Sequence, residues 1–268
     1  MGDRRRLAVG EQGKTEMAST GMHSPIEQFK IKPIFELSAG GYDISFTNSS
    51  LFMLLAMVVG GLFLASAMGK REMVPGRLQG AAEMMYEFVA DLVKSNVGSE
   101  GRAYFPFIFT LFVFLLFGNL LGMVPYSYTF TSQIIVTFAM AAFVFVGVTI
   151  VGLVKHGLHF FTLFVPAGAP KPLIPFLIVI EVISYFVRPV SLSVRLFANM
   201  LAGHTMLKVF AGLAVMISGA GGIAMTGSVL PFAAIIGLTG LEFLVAALQA
   251  YVFTILTCMY LNDALHLH

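Results

Sequence analysis

Residues 103–154 read AYFPFIFTLFVFLLFGNLLGMVPYSYTFTSQIIVTFAMAAFVFVGVTIVGLV, 52 residues without one charged side chain. A helix needs about 20 mainly apolar residues to cross the roughly 30 Å hydrocarbon core of a bilayer. The stretch is long enough for two crossings, and Pro125-Tyr-Ser-Tyr128 supplies the break between them. Spans of about 105–124 and 131–154 are therefore expected.

The whole chain agrees with that stretch. Of its 268 residues 57% are hydrophobic and 11% charged, with a mean hydropathy of +0.87. Soluble domains carry about a quarter charged residues, and so few charges could not cover a soluble surface of this size. Of 30 charged side chains, 22 lie in residues 1–102. The chain reads as a membrane protein.

Several function classes drop out. The net charge is +2 and the one basic run is Arg4-Arg5-Arg6, so nucleic acid is not an expected partner. Cys258 is the single cysteine, which allows no internal disulfide and no cysteine-based metal cluster; in its apolar run it reads as a small buried hydrophobe. No metal site and no cofactor are expected. No glycine-rich loop ending in Gly-Lys-Ser/Thr occurs, so this chain is expected to bind no nucleotide. Residues 1–20 hold no apolar core of a cleavable secretory signal. Met1, Met17 and Met22 are all candidate starts.

Outward from the deciding stretch, residues 44–69 are charge-free and give a first span at about 50–69. Between it and residue 102, Arg77, Glu83, Glu87, Asp91 and Lys94 interleave with Leu78, Met84, Met85, Phe88 and Leu92. That spacing predicts an amphipathic helix over about 75–97, lying at the interface. Beyond Pro166, Pro170, Pro172 and Pro175, two long apolar stretches cover about 174–217 and 229–262, joined by a glycine-rich turn from Ser218 through Gly227. Both are longer than a perpendicular crossing needs, and strong tilt accommodates them. The expected fold is an all-α integral membrane protein of about five membrane helices, the last two a long tilted hairpin, plus the interfacial helix. Residues 1–49 form an external polar segment and 50–268 one membrane domain.

Lysine and arginine near span ends set orientation. The loop at 70–102 holds Lys70, Arg71, Arg77, Lys94 and Arg102, whereas 125–130 holds none. The first loop and the Lys155–Lys171 connection are then cytoplasmic, as is the C-terminus. The N-terminus is external, because Arg4-Arg5-Arg6 lies more than 40 residues from the first span.

Ionisable groups at hydrocarbon depth cost at least a few kcal/mol each and mark functional paths by default. The last two segments hold nearly all of them. Ser184, Arg188, Ser191, Arg195 and Asn199 recur every 3 or 4 residues and share a helical face; Glu181 joins the stripe four turns before Arg195. Arg188 can snorkel towards the cytoplasmic end, but Arg195 is too deep for that. Arg195 is either a structural cation paired to a buried carboxylate or a cation awaiting water or another chain. It stays protonated, so it relays no proton itself.

A hairpin turning at Gly222 sets opposite one another residues whose numbers add to about 444–446. Arg195 then faces Gln249, and His204 faces Glu242. Nine residues of ideal helix place His204 half a turn round from Arg195, so either the hairpin twists or the helix is irregular near Gly203, or the two border different cavities, the reading that better suits the chemistry. A histidine with a facing carboxylate suits a proton relay, and one His with one Glu leaves a metal site short of ligands. Gly118-Asn-Leu-Leu-Gly122 permits close helix contact. Asn119 within it either donates to a water path or bonds a neighbouring helix.

The run Arg188-Pro-Val-Ser-Leu-Ser-Val-Arg-Leu-Phe-Ala-Asn-Met-Leu-Ala-Gly-His204 closely resembles the core motif of the a subunits of F-type rotary ATP synthases. Leu248-Gln-Ala-Tyr-Val-Phe-Thr-Ile-Leu-Thr257 is similar to that family's last helix. Weaker similarity reaches back through Phe117–Pro125 to Ser24-Pro-Ile-Glu-Gln-Phe29. The likeness is strongest to bacterial members, alphaproteobacterial ones in particular, and extends to mitochondrial homologues.

The resemblance implies a stator subunit that works against a rotating ring of c subunits, alongside peripheral-stalk b subunits and the remaining ATP synthase subunits, in the bacterial inner membrane. Arg195 matches the family's essential arginine between two aqueous half-channels, with Asn199 and Gln249 as polar neighbours. Glu181 and Ser184 match the cytoplasmic half-channel, and His204 with Glu242 the external one. Some members exchange the acid and the histidine. Some also carry an acid near Asn119, where this chain has Gly122 and none. No catalysis by the chain itself is implied. Two rival readings stay open: a self-contained transporter or channel, and a passive anchor whose polar residues only pack.

Overall fold

The computed structural model describes residues 31–266, except 32, 36–37, 40–41, 44, 70–74, 125–126, 166–172 and 220–225. Outside the described residues fall Arg4–Arg6, Met17, Met22, Ser24–Phe29, Lys70, Arg71, the Pro125–Tyr126 break, Pro166, Pro170, Lys171, Pro172 and the Gly222 turn centre.

Thr47 opens the first helix: its hydroxyl accepts from the Ser50 N–H at 3.4 Å, satisfying one of the donors that a helix start leaves unpaired. Helix α1 runs Asn48–Met68 and is apolar all round, the pattern of a helix solvated by lipid rather than water. Before it, short antiparallel strands pair Pro33–Phe35 (β1) with Phe46–Thr47 (β4), and Ser38–Ala39 (β2) with Tyr42–Asp43 (β3). Helix α2, Arg77–Val97, is amphipathic and buries Ala82, Val89, Leu92, Val93 and Val97. Helix α3 (Phe105–Gly122) starts with Pro106, a residue suited to a first helical turn because it lacks an N–H. Helix α4 (Ile134–His156) ends where Gly157 takes a φ of 57°, a left-handed value that glycine adopts without steric cost. Helices α5 (Ile174–Gly219) and α6 (Val229–Leu265) have 46 and 37 residues.

Five helical segments are long and apolar enough to cross a membrane: Asn48–Met68, Phe105–Gly122, Ile134–Phe164, Ile174–Gly219 and Thr226–Leu265. The protein is an all-α integral membrane protein, with α2 as its amphipathic addition. At 1.5 Å per residue α5 is about 69 Å long and α6 about 55 Å, twice what a 30 Å core requires. Each span buries only 17% to 39% of its most apolar window inside the chain. Most of the lateral surface is left for lipid or other subunits.

The fold divides into two compact units, one containing Ala202–Leu241, the other Lys32–Leu201 with Glu242–His268. In the larger unit α1 packs on α3 and α2. Gly60 makes the approach to α3 close, since a Cβ there would lie 3.1 Å from Val113 Cγ1. The core runs through Val89, Ile108, Phe112, Leu115, Val144, Leu196 and Phe253. Helix α5 lays Tyr185, Pro189, Leu192, Ser193, Leu196 and Met200 into it. Two hydrogen bonds fix that face against α4: Thr137 to Ser193 at 3.3 Å, and Thr149 to the Tyr185 hydroxyl at 2.7 Å. Pro189 inside the helix leaves the Tyr185 carbonyl without its N–H donor. In the smaller unit the ends of the two long helices meet, with Ile217 Cγ2 3.5 Å from a Cβ placed on Gly227.

The glycine pair in α3 serves a contact other than the helix packing its spacing suggests. A Cβ on Gly118 would meet the Phe130 ring at 2.5 Å, and one on Gly122 would meet Thr129 at 2.7 Å. Both glycines receive the connection to α4 as it folds back on α3. Thr129 also donates to the Gly122 carbonyl at 3.1 Å. Position 122 therefore has no room for an acid.

Candidate functional site

Helix α5 has two unlike faces. The buried face just described is apolar apart from the Ser193 hydroxyl and the Tyr185 phenol. About a third of a turn away, Ser184, Ser191, Arg195 and Asn199 all stand exposed, among exposed Val187, Val194 and Ala198. Glu181 on the same stripe is half-buried. Among the described residues Arg195 makes no ion pair and no hydrogen bond. A guanidinium facing hydrocarbon costs about 2.5–3.5 kcal/mol even on the mildest scales. No partner that would offset this cost lies among the described residues.

Arg188 behaves otherwise. Rather than snorkelling, it donates from Nη1 to Asp263 Oδ2 at 2.8 Å, and its guanidinium carbon lies 5.7 Å from the Tyr185 ring centre and 5.2 Å from that of Tyr260. No local sequence pattern marks Asp263 as a partner of Arg188, 75 residues away. At the tip, Ile217 lies beside Gly227, numbers adding to 444 as expected. Arg188 instead meets Tyr260 and Asp263, numbers adding to 448 and 451. Gln249 is buried at 5% exposure, and no hydrogen bond joins it to Arg195 among the described residues. Because the Arg188–Asp263 pair is charge-assisted but partly exposed, we expect Asp263→Asn to destabilise the detergent-solubilised protein by about 1.5–3 kcal/mol. The reversed pair, Arg188→Asp with Asp263→Arg, should recover most of that loss in thermal unfolding; no recovery would mean that α5 and α6 are held by the rings alone.

The second polar group lies at the other end of the larger unit. Asn119 is fully buried, and its Nδ2 donates to the Ala246 carbonyl at 3.1 Å. It thus bonds a neighbouring helix, one turn beyond Glu242 on α6. Its Oδ1 has no partner among the described residues, nor do Ser49 Oγ, Thr131 Oγ1 and Glu242 Oε2, all enclosed. Buried oxygens are normally hydrogen-bonded, and a protein concentrates exceptions where water or a proton passes. Ser49 starts α1; Phe52, one turn on, has its ring centre 6.2 Å from that of Tyr128 in the α3–α4 connection. Thr131 follows Phe130, the residue that Gly118 receives. These groups sit on elements that meet where α1 begins and α3 ends, and Asn119 bonds α6 one turn from Glu242. Ser49 and Thr131 escaped the sequence reading because loop hydroxyls ordinarily face water. Glu242 is itself half-buried; His204, also half-buried, belongs to the smaller unit. Among the described residues no cluster of His, Cys, Asp and Glu could hold a metal.

Comparison with known proteins completes the picture. The model of a family described as ATP synthase A chain matches residues 50–262. A protein named ATP synthase subunit a from Rhodospirillum rubrum is 58% identical over 247 residues, covering 92% of this chain and 100% of its own length. A namesake from Parvibaculum lavamentivorans is 55% identical over 242 residues, covering 90% of this chain and 93% of itself. Another from Paramagnetospirillum magneticum is 54% identical over 250 residues, covering 92% and 100%.

Proposed function

The chain belongs to the ATP synthase A chain family and is a multi-pass, proton-translocating component of the ATP synthase membrane sector; from that premise we propose that Arg195 is the fixed cation which faces passing carboxylates of a c-subunit ring, between two half-channels that end at different depths. The observation that carries this reading is the stripe on α5. A charged group at membrane depth, turned away from its own chain's core and unpaired among the described residues, fits a moving acidic partner. It fits a passive packing role poorly, because packing would have turned it inward.

The external half-channel runs past Ser49, Thr131 and Asn119 to Glu242, and His204 serves the same path as a second proton carrier. A proton delivered there neutralises a ring carboxylate, which can then turn into lipid; an ionised one cannot do so cheaply. After nearly a full revolution the carboxyl reaches Glu181 and Ser184 and releases its proton to the cytoplasm. Arg195, with Asn199 and Gln249 about it, attracts the ionised carboxylate and blocks direct proton flow between the two paths. One elementary charge crossing 100 mV yields about 2.3 kcal/mol, so several protons must be gathered for each ATP, which is made on other subunits. The b subunits hold this chain against rotation. The N-terminus is external and the C-terminus cytoplasmic in a bacterial inner membrane.

The purified chain alone in liposomes should then pass protons no faster than empty vesicles. Adding the ring should raise the flux well above that background. Sustained flux from the chain alone would establish the self-contained channel instead.

A further inference from the structure

Lys94 and Arg102 lie outside the proton path, yet the fold holds them together with care. Residues Gly98–Ala103 form a 3-10 turn between α2 and α3. Gly98, at a φ of 78°, reverses the backbone as α2 ends. Gly101 then presses so close to α2 that a Cβ would lie 2.7 Å from Val93 Cγ1 and 2.8 Å from Val97 Cβ. The turn is pinned on the last two turns of α2, and this fixes Arg102 relative to Lys94.

These cations border a cleft of about 610 Å³, whose other walls include Tyr86, Ser99, Phe105 and Pro106. The cleft opens at the start of the Phe105–Gly122 span, which is headgroup depth. Tyr86 and Phe105 meet edge to face at 4.9 Å, and Phe109, stacked 5.7 Å beyond Phe105, continues the wall into the span. Glu100 in the same turn is committed to Lys155 on α4, whose ammonium hydrogen-bonds it and holds its carboxyl below the usual range. Asp91, three residues before Lys94, makes no ion pair with it. Among the described residues neither Lys94 nor Arg102 has an ionic partner.

We propose that this cleft binds an anionic phospholipid, with its phosphate between Lys94 and Arg102 and the first methylenes of an acyl chain along Tyr86, Phe105 and Phe109. A guanidinium fork and an ammonium together suit a phosphate. The aromatic wall has no use for a free ion, and its tyrosine is an amphipathic residue of the kind that sits at headgroup level.

Native mass spectrometry of the full chain in detergent tests this with dioleoyl phosphatidylglycerol, dioleoyl phosphatidylcholine and inorganic phosphate as probes. Phosphatidylglycerol should bind about thirtyfold more tightly than phosphatidylcholine, the scale expected of two interfacial cations at about 1 kcal/mol each. Lys94→Gln with Arg102→Gln should abolish that preference. Arg102→Lys, which keeps the charge, should retain most of it and serves as the control for folding. Millimolar phosphate should leave the lipid bound. Equal binding of the two lipids, or a preference surviving the double variant, would overturn the proposal. Displacement by phosphate would reassign the cleft to a free anion. In native membranes, a photo-crosslinker at Ser99 should label lipid; a protein adduct in its place would make the cleft a subunit interface and overturn the lipid reading.

Discussion

Arg195→Ala in an otherwise intact ATP synthase is expected to lower gradient-driven ATP synthesis by about 100-fold or more, with the complex still assembled. Arg195 touches no ionic partner among the described residues, so truncating it breaks no internal bridge. On the proposed function, what it removes is the attraction for a carboxylate that must lose its proton while still at membrane depth. If that attraction offsets about 3 kcal/mol of the cost of an ion at this depth, the loss is about two powers of ten in rate. The second consequence has the opposite sign. Without a fixed positive charge between the half-channels, protons can pass from one to the other without turning the ring, so passive leak should rise as synthesis falls. Arg195→Lys separates the two effects. A lysine keeps a cation but can give up its proton when desolvated, whereas a guanidinium does not. It should suppress part of the leak and restore little synthesis. Measuring both in inverted vesicles decides the matter: synthesis above about a tenth of the parent's with Arg195→Ala would show that this cation does not govern the coupled step.

The fold was legible because lipid imposes a one-dimensional signal. Absence of charge over 103–154, broken once near Pro125, foretells two helices, and α3 and α4 occupy Phe105–Gly122 and Ile134–His156. The interleaved charges of 75–97 likewise foretell α2. Spacing could place Ser184, Ser191, Arg195 and Asn199 on one face; it could not say whether that face meets the core or the outside. Helical period is blind to that sign, and the packing of Leu192, Leu196 and Met200 decides it. Partners far apart in sequence were harder. Arg188 and Asp263 stand 75 residues apart and meet only through the packing of α5 on α6, which no local pattern records. The buried hydroxyls of Ser49 and Thr131 were missed for a related reason. Burial of the α3–α4 connection depends on Gly118 and Gly122 admitting Phe130 and Thr129. The spacing of those glycines reads equally well as a helix-packing motif.

Glu242→Leu is expected to stop proton conduction through the ring-containing membrane sector, lowering it by about 100-fold while leaving assembly intact. A positioned acid or base contributes about 10²- to 10⁴-fold to a proton transfer, and leucine offers neither. Glu242 Oε2 is enclosed without a hydrogen bond among the described residues, so its replacement breaks no internal network and the complex should survive. His204→Leu should act in the same direction, more weakly if water can bridge to the acid. The decisive variant carries both exchanges, Glu242→His with His204→Glu. If the two side chains share one proton, their order along the path matters little, and the double variant should conduct at least tenfold faster than either single exchange. A role in packing alone would make the two losses accumulate, because each site would then hold the wrong shape. Conduction that persists in Glu242→Leu and His204→Leu would leave the anchor reading standing and the external path without its proton donor.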